Sequence, residues 1–208
     1  AGREAVPAGR GLCCGLTYVS TGQLDRARGV MRRTLERLGG ALGDPVIVLE
    51  PSCAATLRTD LPELLPDDPR AARLAASVHT LAQYLEAYAP DWAPPRLDRP
   101  VTGQTHCHQH AVLGDEAERR LRERAGLTGE LVGGCCGLAG NFGYERGHWG
   151  VSVACAEDRL LPAVREAAPG TEILADGFSC RTQLAQLGGV RGRHLAELLA
   201  EGLEEGKP

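Results

Sequence analysis

Apolar residues recur at helical spacing in two long segments of the chain. The segment GQLDRARGVMRRTLERL predicts a helix that ends at Gly39-Gly40. The segment Arg70–Tyr88 has the same period and predicts a second helix. The apolar positions of the two predicted faces are Leu24, Ala27, Met31, Leu35 and Leu38, and then Leu74, Val78, Leu81, Leu85 and Tyr88.

Short apolar runs between the helical segments predict buried strands. They lie at residues 45–50 (PVIVLE), 100–105 (PVTGQT), 130–132 and 171–175 (TEILA). Further helices are predicted at about 115–125, 151–166 with a break or kink at Pro162, 181–187 and 193–201. Strands that alternate with helices predict an α/β fold of two βα repeats, with short parallel sheets and covering helices.

A Pro-rich stretch separates the two predicted repeats. The sequence APDWAPPRLDRP at Ala89–Pro100 is typical of a linker. We therefore predict a first domain over residues 1–95 and a second over residues 96–208.

The cysteines follow the same organisation as the strands. Cys-Cys-Gly occurs twice, and cysteines follow the candidate strands by a few residues, at Cys53, Cys107, Cys135, Cys136 and Cys180. Because ligands of open parallel sheets gather beyond the carboxyl ends of the strands, we expect these thiolates to converge there. Neighbouring cysteines do not readily reach disulfide geometry, so the pattern favours metal or redox chemistry over a disulfide framework.

The second half supplies four thiolates to one predicted site, and the first half supplies three. The stronger set is Cys107, Cys135, Cys136 and Cys180, and the weaker one is Cys13, Cys14 and Cys53. A counterpart of Cys107 in the first half would precede residue 1, so we expect the chain to begin inside its first repeat. Four thiolates fit a [4Fe–4S] cluster and also suit tetrahedral zinc, and the ligand count leaves both open.

Composition narrows the class of protein. The chain has 43% hydrophobic and 24% charged residues with a formal net charge of −4, which is ordinary for a soluble globular protein. The slightly negative charge does not indicate a nucleic-acid binding surface. No apolar run is long enough to span a bilayer. The first residues lack the apolar centre of a signal peptide. We therefore expect a cytoplasmic location, with membrane association only through partners.

One cysteine, then Cys-Cys-Gly, then a final cysteine resembles the cysteine-rich CCG domain found in heterodisulfide reductase and in the iron–sulfur component of glycolate oxidase. The segments THCHQHAV, GCCGLAGNFGYE, LLPAVREAAP, ILADGFSCRTQL and RHLAELLAEGL are similar, more narrowly, to the C-terminal end of large FAD-linked oxidases. Those enzymes act on D-2-hydroxyacids such as D-lactate or D-2-hydroxyglutarate.

The resemblance implies an iron–sulfur electron-transfer module that is not catalytic alone. Its partners would be the FAD-containing and ferredoxin-like parts of the same oxidoreductase, since this chain has neither an FAD-binding segment nor closely spaced ferredoxin-type cysteines. Heterodisulfide reductase-type repeats end in Cys-x-x-Cys, whereas here AAT follows Cys53 and RTQ follows Cys180. The fifth thiolate of that family is therefore missing.

Two other functions stay open at this point. A structural zinc module would use the same thiolates to fix the fold, and a thiol–disulfide or heterodisulfide reductase component would use an adjacent pair as its redox couple. The absence of Cys-x-x-Cys counts against the latter.

Other polar and thiol groups have simpler interpretations. Cys155 is expected to be a buried packing residue, and His79 and His194 are expected within helices in structural roles. His106, His108 and His110 bracket Cys107 and could serve as a ligand or as donors to a centre, although a surface role for at least two is favoured. Loop residues near the cysteines could line an entrance or serve in turns and caps: Asn141, Tyr144, Glu145 and Asp176.

Overall fold

Two compact units divide the chain within the Pro-rich stretch. The computed structural model describes residues 1–206. The first unit covers Ala1–Trp92, and the second begins at Ala93.

The first unit consists of short helices around one two-stranded parallel sheet. Its elements are α1 (Leu16–Ser20), α2 (Leu24–Leu38), β1 (Val46–Ile47), α3 (Pro51–Arg58), α4 (Asp60–Leu64), α5 (Pro69–Ser77), β2 (Val78–His79) and α6 (Leu81–Tyr88). The strand pairing joins Val46 to Val78 and Ile47 to His79.

Helix α2 confirms the first helical prediction, beginning two residues inside the predicted segment and ending at its last residue. It buries Ala27, Met31, Leu35 and Leu38, whereas Leu24 in its first turn is exposed. The helix ends where a 3₁₀ turn, Gly39–Ala41, begins. Its apolar face thus packs as the period of the sequence requires.

The single helix predicted over Arg70–Tyr88 is wrong. The structure ends α5 at Ser77, inserts β2, and starts α6 after Thr80. Strand pairing and helix capping together produce the break between α5 and α6. Val78 and His79 pair with β1, and Thr80 forms a capping box with Gln83, in which each side chain bonds the other residue's backbone N–H at 3.2 Å.

The second unit repeats the scheme with longer strands. Its elements are β3 (Val101–Gln104), α7 (Glu116–Arg124), α8 (Trp149–Asp158), α9 (Leu160–Arg165), β4 (Glu172–Ala175), α10 (Phe178–Leu187) and α11 (Leu195–Glu205). A π-helical turn covers Gln109–Leu113, and a 3₁₀ turn covers Phe142–Tyr144.

Strands β3 and β4 pair in parallel from Val101 with Glu172 to Gln104 with Ala175. The strand predicted at residues 130–132 is reduced to a single bridge between Val132 and Gln104. The helix predicted at 151–166 forms two pieces, but they separate at Arg159 and not at Pro162. Pro162 is the third residue of α9, where its missing N–H has no partner to lose.

A small apolar core lies against one face of the β3–β4 sheet. It contains Cys136, Leu138, Leu160, Ala175, Cys180 and Leu184. Two of the four candidate ligands of the second unit are therefore core residues. The structure confirms an α/β fold of short parallel sheets and covering helices, with cysteines beyond the carboxyl ends of the strands. None of the described helices is both long and apolar enough to cross a membrane.

Candidate metal centre

Four cysteines of the second unit reach one place from three separate segments. Cys107 follows β3 and begins a helical turn, and Cys180 lies in the first turn of α10, directly after β4. Cys135 and Cys136 follow Val132, which is bridged to the end of β3. The parallel arrangement of these segments brings all four thiols to one edge of the sheet.

The four thiols contact one another in pairs. Side-chain hydrogen bonds join Cys107 to Cys135, Cys135 to Cys136, and Cys136 to Cys180. Cys136 and Cys180 are only 4% and 2% exposed, whereas Cys107 and Cys135 are half-buried. The group is thus buried on one side and open to solvent on the other.

These contacts shift the pKa values of three of the four thiols. Hydrogen bonds from Cys107 and Cys136 lower the pKa of Cys135. The hydrogen bond to Cys135 raises the pKa of Cys107, and the hydrogen bonds to Cys135 and Cys180 raise the pKa of Cys136. Cys135 is therefore the thiol of this set that ionises most readily, and the thiolate is the form that binds metals.

The thiols contact one another in pairs, but they do not yet surround a common point as metal ligands would. Among residues 1–206, no three or more His, Cys, Asp or Glu side chains are arranged so that they could hold a metal ion without moving. The donor set itself fits, because four cysteine sulfurs are the ligands of both [4Fe–4S] clusters and structural zinc. Coordination would replace the thiol–thiol hydrogen bonds with bonds to metal.

The Cys-Cys-Gly turn presents a backbone donor to the sulfur of Cys135. The Gly137 N–H donates to Cys135 Sγ at 3.3 Å, and Gly137 has a φ of 86°. A Cβ at Gly137 would lie 2.1 Å from the carbonyl oxygen of Ser152, which is in α8. Only glycine combines this left-handed backbone with such a close helix.

The first unit contains the same turn. The Gly15 N–H donates to Cys13 Sγ at 3.4 Å, and the φ of Gly15 is 88°. Cys53 occupies the third position of α3, just as Cys180 occupies the third position of α10. The two halves therefore share local geometry as well as sequence.

Thiol contact in the first unit joins Cys14 and Cys53. Their sulfurs are 3.0 Å apart, and the hydrogen bond lowers the pKa of Cys14 to about 7 and raises that of Cys53. Cys13 is exposed, and residues 1–12 contain no cysteine. This set offers three thiols where the second unit offers four.

Two buried glutamines with unpaired side-chain atoms lie beside the second site, and the sequence did not predict either of them. Gln104 is 1% exposed, and neither its Oε1 nor its Nε2 has a hydrogen-bond partner. Gln183 is fully buried and donates from Nε2 to Ser152 Oγ at 2.9 Å, while its Oε1 has no partner. A buried strand glutamine has no sequence signal that separates it from a surface one.

Cys155 does not occupy the buried packing position expected for it. It is half-buried in α8 and lines an open hollow of about 570 Å³ together with Cys135. The hollow is formed largely by α8, because Gly150, Val151, Ala154 and Asp158 also line it. All eight cysteines of the chain carry free thiols.

The three histidines around Cys107 have different environments. His106 is buried, and its Nδ1 accepts a hydrogen bond from the His108 N–H at 3.1 Å. His108 is half-buried and His110 is exposed. A helical turn begins at Cys107, between His106 and His108.

The two remaining histidines expected in helices lie elsewhere. His79 is in β2, with Nδ1 2.7 Å from the carbonyl oxygen of Ser77. His194 caps α11, because its Nδ1 accepts from the Ala196 N–H at 2.9 Å. Both nevertheless interact with local backbone.

Loop side chains near the cysteines bond to protein groups. Asp176 accepts from the Leu195 N–H at 2.8 Å, and Asn141 donates to Glu145 at 2.8 Å. Tyr144 bonds to Gln186 at 2.7 Å. The Asp176 contact lies at the start of α11 and fits a cap, and the Asn141 contact spans the 3₁₀ turn, whereas the Tyr144 contact reaches α10 and is neither.

Sequence comparison relates the chain to components of dehydrogenases. It is 26% identical over 197 residues to a subunit of the anaerobic glycerol-3-phosphate dehydrogenase of Escherichia coli K12, covering 92% of this chain and 49% of that protein. It is also 26% identical over 190 residues to the D-2-hydroxyglutarate dehydrogenase of the same organism, covering 86% of this chain and 18% of that protein.

The chain thus spans about half the length of the first relative and less than a fifth of the second. No family model matches the chain, and no solved structure matches it. The distant homology associates the chain with parts of larger dehydrogenases.

Proposed function

We propose that this chain is an iron–sulfur electron-transfer module of an FAD-linked oxidoreductase that acts on a D-2-hydroxyacid, with FAD bound outside the chain. The observation that carries the proposal is the convergence of four cysteines from three separate segments at one edge of the β3–β4 sheet: Cys107, Cys135, Cys136 and Cys180. The dehydrogenase names of the relatives support the oxidoreductase class, and the name of one specifies a D-2-hydroxyacid.

The four cysteines of the second unit would hold a [4Fe–4S] cluster. Such a cluster accepts and passes on single electrons. Partners would be the FAD-containing and ferredoxin-like parts of the same enzyme, and the fragmentary coverage of both relatives supports such partners.

The chain's own residues would stabilise charge and limit water at the site. The Gly137 N–H already bonds the sulfur of Cys135, and a donor to an anionic sulfur forms a charge-assisted hydrogen bond. Cys136 and Cys180 belong to the apolar core with Leu138, Leu160 and Leu184, so that core would shield one side of the centre. Burial and hydrogen bonds to sulfur are the means by which a protein sets a cluster's potential.

Structural zinc is the second candidate, and the close thiol contacts favour it. Four sulfurs about 2.3 Å from a zinc ion are about 3.8 Å apart, which is near the separation of thiols in hydrogen-bonding contact. In this case the centre would stabilise the second unit and would carry no electrons. The set Cys13, Cys14 and Cys53 could hold metal only with a fourth ligand, and we propose it as a weaker second site.

Metal content of the anaerobically purified chain tests the proposal. We expect brown protein with broad visible absorption, about four iron and four sulfide per filled site, and little zinc. Colourless protein with one zinc per chain would support the structural alternative, and protein without either metal would refute both.

Two variants connect the metal to the proposed ligands. Cys180→Ser should lose most of the metal, because it removes one of four ligands from a folding-linked site. Cys155→Ser is the matched control, since Cys155 lines the same hollow as Cys135 but lies outside the repeated cysteine pattern. Equal metal loss in both variants would show that the ligand assignment is wrong.

A further inference from the structure

Gln104 is a buried amide without a hydrogen bond. Its side chain is 1% exposed, and both Oε1 and Nε2 are buried without a partner. Buried side-chain amides in folded proteins nearly always have partners, because leaving them unpaired costs free energy. An orphaned amide of this kind therefore points to a group that it binds.

The pairing of β3 and β4 places Gln104 on the face that carries the thiols. Gln104 is the register partner of Ala175 in parallel strands, and neighbours in register project from the same face of a sheet. Ala175 packs in one apolar core with Cys136 and Cys180. Gln104 also lies three residues before Cys107, at the sheet edge where the thiols meet.

The side-chain amide of Gln104 can donate hydrogen bonds of the kind that an anionic sulfur accepts. Gln183, the other buried glutamine with an unpaired side-chain atom, already uses its Nε2 to donate to Ser152 Oγ. The Nε2 of Gln104 has two donors to spare. A metal-bound thiolate is negatively charged and accepts such donors strongly.

We propose that Gln104 donates a hydrogen bond to the metal-bound thiolate of Cys136 or Cys180 and thereby raises the reduction potential of the cluster. The inference rests on the proposed function. A donor to sulfur stabilises the reduced cluster more than the oxidised one, because the reduced cluster carries one more negative charge. Removing the donor therefore lowers the potential.

The test is a redox titration of the full chain carrying its cluster, monitored by electron paramagnetic resonance. Gln104→Met keeps the length of the side chain and removes both donors, and Gln104→Leu provides a second apolar replacement should one variant fold poorly. We expect a more negative potential and faster loss of iron to a chelator in both variants. Far-ultraviolet circular dichroism should remain that of the wild type.

Thr102→Val is the matched control. Thr102 is two residues earlier in β3 and pairs with Ile173, which packs against the same core, so the variant changes polarity further from the thiols. It should titrate like the wild type. An unchanged potential in the Gln104 variants, or an equal shift in Thr102→Val, would overturn the inference alone. A wild-type chain that binds no iron would instead refute the proposed function, and the inference with it.

Discussion

Replacing Gly137 with alanine tests whether the Cys-Cys-Gly turn is held against α8. The added Cβ would lie 2.1 Å from the carbonyl oxygen of Ser152 and 2.9 Å from its Cα. These atoms belong to helix backbone, which cannot rotate away as a side chain can. The turn and the helix must therefore separate in the variant.

The expected loss in the free energy of unfolding of Gly137→Ala has two contributions. A left-handed φ of 86° costs an alanine about 1–2 kcal/mol, and forcing an extra methyl group into a packed site costs about 1–3 kcal/mol. The sum of about 2–5 kcal/mol is a large part of the about 5–15 kcal/mol that stabilises a typical domain. Because Cys135 and Cys136 are in the same turn, bound metal should fall as well.

Gly140→Ala measures the contribution of the left-handed backbone conformation alone. Gly140 has a φ of 72°, but a Cβ there would meet no atom within 4 Å. Urea unfolding followed by circular dichroism should therefore show a loss of about 1–2 kcal/mol for Gly140→Ala and a clearly larger loss for Gly137→Ala. Equal losses in the two variants would refute the close approach of α8 to the cysteine turn.

Two further changes test the helices of the first unit. Thr80→Ala removes the capping box of α6 and should lower the free energy of unfolding by about 1 kcal/mol in urea, and an unchanged midpoint would contradict the break between α5 and α6. Asp68 caps α5 and bonds Arg70, and this hydrogen bond lowers the pKa of Asp68 to about 2. Since the unfolded pKa is about 3.9, this contribution is complete above that pH and is lost as the pH falls towards 2. Asp68→Asn should therefore weaken the acid dependence of stability in this range, and an unaltered pH profile would count against the cap.

The spacing of apolar residues correctly predicted a helix that buries a single apolar face. Helix α2 has that character, and its C-terminal end at Leu38 matches the prediction. Over Arg70–Tyr88 the same spacing gave a wrong prediction, because Val78 is buried in a strand that pairs with Val46. This contact is distant in sequence, so no local pattern reveals it. A two-residue strand is too short to show its own alternation.

The position of the cysteines was predictable, but their surroundings were not. Spacing after candidate strands indicated that Cys107 and Cys180 would lie at one edge of the sheet, and the structure places them there. Helix α3 was missed even though Pro51 is a typical first residue of a helix. The orphaned amide of Gln104 and the hollow beside Cys155 depend on three-dimensional packing and have no counterpart in the sequence.

X-ray absorption at the metal edge of the anaerobically purified chain tests the proposed iron–sulfur centre most directly, because it reports the atoms bonded to the metal. We expect iron surrounded by sulfur, with a second shell of iron neighbours, and loss of that signal in Cys136→Ser. Iron bonded mainly to nitrogen or oxygen, or a sulfur shell that survives in Cys136→Ser, would contradict the proposed centre.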